Sequence, residues 1–217
     1  MRWILFAILS LAIAGLYFFQ ISHHVPEKNK YALYDQLSQK KIKEGQLIFI
    51  AKPGFWGDIA QAFSEKDKRF AHVGLIAKTI NGEITVINAD GNPIDPKGSV
   101  REEPLKNFMA SATSISIYDL KLENKTINQI IDRARYYVDQ RYEFNSQFIL
   151  GQSNSLYCTE LLWVSIKDVT QRDIVPNKRT HWGYEYIGID DLTTNPLTQE
   201  VIQLNLSRIS HGFSDDD

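Results

Sequence analysis

Cysteine is almost absent: the 217 residues contain one, Cys158. An internal disulfide is therefore excluded, and so is a zinc site built on several thiolates. Excess charge of one sign is lacking too. Twenty-four Lys and Arg face 26 Asp and Glu, a net charge of -2. This argues against a nucleic-acid binder that works by neutralising phosphates. No His-x-x-x-His pair or carboxylate–histidine cluster at ligand spacing occurs, so neither a metal nor another cofactor is expected. There is no internal repeat, and the acidic end Asp215 to Asp217 is the only biased tract. With 43% hydrophobic and 12% aromatic residues, the composition is that of a globular chain and excludes disorder.

What is present begins with a leader. Trp3 to Ile21 is a charge-free run of 19 residues behind Arg2. As a helix it would span about 28 Å, close to the hydrocarbon thickness of a bilayer. Ala12-Ile13-Ala14 offers a cleavage site, which keeps a signal peptide open as the alternative. The run continues past it through Leu16-Tyr17-Phe18-Phe19, which favours an uncleaved anchor. Residues 1–25 are therefore assigned to a signal anchor or signal peptide, and 26–217 to one domain, about the size of a single core.

Within that domain, Lys30 to Lys43 reads as a helix stopped by Gly45, and Gln46 to Ala51 as a short strand. Lys52 to Gly57 is a loop, and Asp58 to Phe63 a helical turn. Phe70 to Ile80 and Glu83 to Ala89 read as strands around Asn81-Gly82, a strong hairpin signal. Asp90 to Gly98 reads as a loop and Ser114 to Leu120 as a strand. Thr126 to Gln140 reads as a helix with a capping box at Thr126 and Gln129. Leu156 to Val169 reads as a second helix, with Ser153, Asn154 and Ser155 as cap candidates. Tyr184 to Ile189 and Glu200 to Leu206 read as late strands. Strand pairs with interspersed helices, without βαβ alternation, predict an α+β fold with an antiparallel sheet packed on helices.

The lone thiol lies near the start of the second helix, where unpaired N–H groups and the helix dipole favour a thiolate. An inert buried cysteine is the plainer alternative. Of the five histidines, His72 opens an otherwise apolar strand, Ala71-His72-Val73-Gly74-Leu75-Ile76. A strand-end histidine facing water would look the same. A thiolate beside an imidazole is a nucleophile with its own general acid.

These residues carry a resemblance. Phe70 to Ile76, Asn81-Gly82 and Val86-Ile87-Asn88-Ala89-Asp90 resemble the histidine hairpin of NlpC-type cysteine peptidases. Tyr157-Cys158-Thr159-Glu160-Leu161-Leu162 resembles their nucleophile helix. Here the cysteine follows the histidine, the reverse of the usual order, which resembles the circularly permuted, YiiX-like branch of papain-like amidases. Gly45 to Phe49, Pro104-Leu105, Tyr142-Glu143-Phe144 and Ile189 to Leu192 fall in the order of that branch. The resemblance covers roughly residues 45 to 205. It implies a papain-like fold with Cys158 as nucleophile, His72 as general base and acid, and Asn88 as the residue orienting His72.

Other residues than Asn are common in the family at Asn88, and Asp90 is the alternative orienter. Trp56, in the loop Gly54 to Asp58, is a candidate to line the groove or to cover the core. Tyr157 is a candidate oxyanion contact, a groove residue or a core residue. Glu143 stands where Asp is more usual and reads as structural or groove-lining. Glu160 would oppose a thiolate if it faced Cys158, so it is expected to point away.

The implied activity is cleavage of an amide through a thioester, on a peptide of the bacterial cell wall, by a membrane-held domain outside the cytoplasm. A lipid acyl hydrolase or transferase on the same thiol–imidazole site is an alternative. So is a non-catalytic envelope module that binds a peptide or lipid. Nucleic acid is not an expected partner.

The site also demands a hairpin register. A two-residue loop, Asn81-Gly82, pairs Ile80 with Glu83 and turns Asn88 away from His72. A three-residue loop, Ile80-Asn81-Gly82 with Gly82 left-handed, pairs Thr79 with Glu83. It sets Gly74 opposite Asn88 and His72 opposite Asp90, all on one face.

Overall fold

The computed structural model describes residues 31–52, 61, 63–92, 95–110 and 112–206. The leader, Trp56 and most of Asp58 to Phe63 lie outside them. Among the described residues no helix is long and apolar enough to cross a membrane.

Helix α1 (Ala32–Ser38) leads into strand β1 (Leu47–Ala51). The histidine hairpin is β2 (His72–Lys78) and β3 (Ile84–Asn92), and β4 (Asp95–Pro104) returns beside β3. A short helix α2 (Leu105–Phe108) precedes β5 (Ser114–Leu120) and the long helix α3 (Asn124–Asp139). Two short strands, β6 (Glu143–Phe144) and β7 (Ser155–Leu156), precede helix α4 (Cys158–Thr170). A two-stranded ribbon, β8 (Arg179–His181) and β9 (Tyr184–Tyr186), is followed by helix α5 (Asp190–Thr193) and strand β10 (Thr198–Asn205). Eight strands form one sheet in the order β10-β5-β1-β2-β3-β4-β6-β7, antiparallel except for β6–β7. The expected α+β class holds.

The central strands are buried on both faces, which explains their near-continuous apolar sequence: Leu47 to Ile50 and Val73 to Ala77, apart from Gly74. One face packs against α3 and α4 through Val73, Leu75, Ile87, Ile130, Ala134 and Leu161. The other packs against α1 and α2 through Ile48, Ile50, Val86, Leu33, Leu37 and Phe108.

Three expectations needed correction. Asp90 to Gly98 is not a loop: β3 runs on to Asn92 and β4 starts at Asp95. The Thr126–Gln129 capping box does not form. α3 begins two residues earlier, after Glu123, with no side-chain cap. Ser153 to Ser155 caps no helix either. Ser155 and Leu156 are strand, and α4 begins at Cys158 itself.

The hairpin has the three-residue loop. Lys78 pairs with Ile84 and Leu75 with Ile87, and the Thr79 N–H donates to the Glu83 carbonyl at 2.9 Å. Gly82 takes φ +80°, as a glycine can without strain, and Ile80 is left fully exposed at the tip. The same register puts Gly74 opposite Asn88. A Cβ on Gly74 would stand 2.3 Å from Val86 Cγ1 and 3.2 Å from Phe108 Cε2. The absent side chain thus lets Phe108 lie close over the strand, where its ring stacks on His72 at 5.2 Å.

Candidate active site

His72, Gly74 and Asn88 share the face that carries Phe108. His72 Nε2 lies 3.3 Å from Asn88 Oδ1, and both side chains are buried. Asn88 Nδ2 donates to Glu103 Oε1 at 2.9 Å. Glu103 also accepts from Arg101 Nε at 3.2 Å, and Arg101 Nη2 donates to Asp90 Oδ2 at 2.7 Å. Asp90, 3.8 Å from Lys52, is thus bound to cations and does not bond His72. Of the two candidates, Asn88 is the one whose side chain meets the His72 ring, and Asp90 acts on it through charge.

Cys158 arrives from the helix on the opposite face of the sheet. It comes up against strand β2, one residue past His72, where the sheet opens. The β2–β3 ladder ends at Leu75–Ile87. Val73, whose N–H points toward β3 by alternation, would next pair with Ala89. Its N–H faces the Cys158 sulfur instead, together with the N–H groups of Thr159 and of Cys158 itself. The sulfur therefore sits in the mouth between the two strands, beside the residue that follows His72. With Nε2 of His72 turned to Asn88, Nδ1 is the ring nitrogen that does not face that amide.

The neighbours of Cys158 hold the helix start in place. The Tyr157 hydroxyl accepts the Ile187 N–H at 2.8 Å, and Thr159 Oγ1 donates to the Ile187 carbonyl at 2.7 Å. Glu160 Oε1 accepts the Gly151 N–H at 2.9 Å, so this carboxyl points to the 145–151 loop and away from the sulfur. Tyr157 is accordingly a core residue, packed edge-on against Phe148, and not a groove wall. Glu143 is exposed on the short strand β6. A groove of about 500 Å³ lined by Phe63, Phe148, Trp182, Tyr184 and Tyr186 lies beyond Tyr157, and neither Tyr157 nor Glu143 lines it. Among the described residues no three His, Cys, Asp or Glu side chains are placed to hold a metal ion.

Electrostatics correct one expectation. Burial pushes the Cys158 thiol up to about 11, and the three backbone N–H groups only partly offset this. Burial, then the charge of Lys52, pushes His72 down to about 4, against the pull of Asp90 and Asn88. At neutral pH the thiol of Cys158 and the imidazole of His72 are both uncharged, so there is no preformed thiolate. The helix dipole is real, but dehydration outweighs it.

Burial also raises Glu160 from 4.5 to about 7. Between these values the folded chain holds a proton that the unfolded chain has lost, so this group's contribution to stability falls as pH rises. Glu160→Gln removes that penalty. Its stability relative to the parent is expected to increase from pH 4.5 to 7, as read by thermal melts across that range. His72 works in the opposite sense, its neutral burial costing stability as pH falls from 6.5 toward 4.

The family model for permuted papain-like amidases of the YaeF/YiiX, C92 type matches residues 41–180. The chain belongs to that family. A crystal structure of the metalloprotein YiiX from Escherichia coli O157:H7 is similar to it, with a TM-score of 0.61 at 14% identity. The match covers 76% of this chain and 99% of that one. No protein with a curated description matches. Membership of this amidase family accounts for the permuted order, with β2 carrying His72 ahead of the helix that carries Cys158.

Proposed function

We propose that the chain is a cysteine amidase held at a membrane, acting on a peptide of the cell wall. The observation that carries the chemistry is the pair of contacts described above: Asn88 on Nε2 of His72, and the Cys158 sulfur against the N–H of the next residue, Val73. Nδ1 of His72 takes the thiol proton as sulfur attacks the amide carbonyl, so the thiolate forms only as the bond forms. The C–N bond breaks, His72 hands its proton to the leaving amine, and the acyl group stays on Cys158 as a thioester. Water, deprotonated by the same imidazole, hydrolyses the thioester and restores the thiol. The Cys158 N–H at the first turn of α4 is the oxyanion donor this geometry offers. Among the orienting options, a neutral amide fixes the tautomer as in papain-like proteases.

Membrane attachment rests on the charge-free run Trp3 to Ile21. The intact chain is expected to sediment with membranes, and deletion of residues 1–25 to release a soluble, folded domain. A mature chain starting near Gly15 and found free in the soluble fraction would sink the anchor. The activity is tested by incubating the purified protein with cell-wall peptides and, separately, with acyl lipids, with Cys158→Ala as the blank. New amine termini from the peptides support the amidase. Release of acyl chains alone assigns the same thiol to lipids, and no Cys158-dependent product from either class opposes a catalytic role.

A further inference from the structure

We infer that Glu103 is a positioning residue that sets the polarity of the Cys158–His72–Asn88 chain; this rests on the reading of Cys158 and His72 given above. A primary amide is nearly symmetric in shape, so burial alone does not decide which end of Asn88 faces His72. The partner on its other side decides. A carboxylate can only accept, so the end of Asn88 that faces Glu103, 2.9 Å away, must be the NH2. The oxygen is thereby turned to His72. An amide oxygen also only accepts, so Nε2 must carry the proton and Nδ1 must carry the lone pair. A lone pair on Nδ1 is what the thiol proton requires. One carboxylate, two bonds away, thus fixes which nitrogen of His72 is the base.

The register makes this arrangement specific. Asn88 stands opposite Arg101 and Val86 opposite Glu103, so all four side chains share the His72 face. Arg101 holds Glu103 on one side and Asp90 on the other, which aims the Glu103 carboxylate at Asn88. The charge also reaches His72 through a polarised amide. A neutral orienter alone would give the imidazolium little help. Asn88 backed by Glu103 supplies part of what a directly bonded carboxylate would. Asn88 has no exposed surface, so an amide turned the wrong way finds no water to repair the mismatch.

The test is nitrogen-15 NMR of the His72 ring in the full chain, with the signal assigned by its loss in His72→Ala. The parent is expected to show the neutral ring protonated at Nε2. Glu103→Met keeps the bulk but cannot accept, and is expected to shift the ratio of the two tautomers by about tenfold, the worth of one buried hydrogen bond of ordinary strength. Glu103→Gln, which keeps an acceptor oxygen, is expected to return most of the parent ratio. A merely structural Glu103 would lower the melting temperature in Glu103→Met and leave the ratio unchanged, which overturns the inference. A parent ring protonated at Nδ1 overturns it as well, and this reading stands even if Glu103→Met does not fold. Failure of the underlying reading looks different: carboxymethylation of Cys158 would then leave the ring nitrogens of His72 unmoved.

Discussion

Cys158→Ser is expected to reduce amide turnover by about a thousandfold or more while the domain stays folded. A serine hydroxyl is a far poorer nucleophile than a thiol for a neutral imidazole to activate, and the substitution removes the atom on which the proposed acyl intermediate would form. The fold should tolerate the change. The side chain is nearly isosteric, and its oxygen can accept the Val73 N–H that now faces the sulfur. Cys158 is 7% exposed and packs at the margin of the core, so burial of a hydroxyl is expected to cost about 1 kcal/mol. Turnover and melting temperature measured on the same preparation separate the two effects. A large fall in melting temperature with turnover intact would make Cys158 a packing residue.

Asp190→Ala is expected to destabilise the domain by about 3 to 5 kcal/mol, the range for breaking a buried ion pair by removal of one partner. Asp190 is fully buried at the start of α5. Its Oδ2 accepts the N–H groups of Glu65 and Lys66 at 2.9 and 2.7 Å, and Nη2 of Arg179 at 2.8 Å. Burial works to raise its pKa, but Arg179 and these two N–H groups hold it below the usual carboxylate value. Loss of the carboxylate leaves a largely buried guanidinium and two N–H groups without this partner. The damage should reach the site, because Ile187, three residues earlier, is where Tyr157 and Thr159 anchor the start of α4. A chemical denaturation curve gives the size of the loss. A change below about 1 kcal/mol would mean that water or Asp191 replaces the carboxylate without cost.

The hairpin was legible because its determinants are local. Asn81-Gly82 marks the turn, and the need for Asn88 to face His72 selects the three-residue loop over the two-residue one. α4 was legible from its apolar residues, though its start was placed two residues early by a Ser153–Ser155 stretch that looks like a cap. β4 was missed for a physical reason. Its sequence, Asp95-Pro96-Lys97-Gly98-Ser99-Val100-Arg101-Glu102-Glu103-Pro104, has the Gly, Pro and charge of a loop and only one apolar side chain. It is a strand because β3 already presents a long edge to it, a tertiary cause that local pattern does not contain. With β4 unseen, Arg101 and Glu103 were invisible as neighbours of Asn88.

The protonation of the site was misread for a similar reason. The sequence shows a cysteine at a helix start, hence the dipole, but burial depends on how α4 meets the open end of β2 and β3. Glu160 was expected to point away from the thiol, and it does. Its partner is the Gly151 N–H; Gly151 and Ser153 to Ser155 mark a loop in the sequence, but that the loop folds back against α4 is a tertiary contact that local pattern does not contain.

The most direct test of the thiol–imidazole pair is the rate at which a small alkylating agent modifies Cys158, measured against pH in the parent and in His72→Ala. One cysteine in the chain makes the signal unambiguous. The groups that bear on His72 are Lys52, Asp90, Arg101 and Asn88, and they are unchanged in the comparison. With Nδ1 as general base, the parent is expected to react about a hundredfold faster than His72→Ala at pH 7, the usual worth of a positioned base. Its rate should hold level down toward pH 4, where His72 takes up a proton. Equal rates in the two proteins, both rising only as the thiol ionises near pH 11, would show a buried cysteine that His72 does not serve.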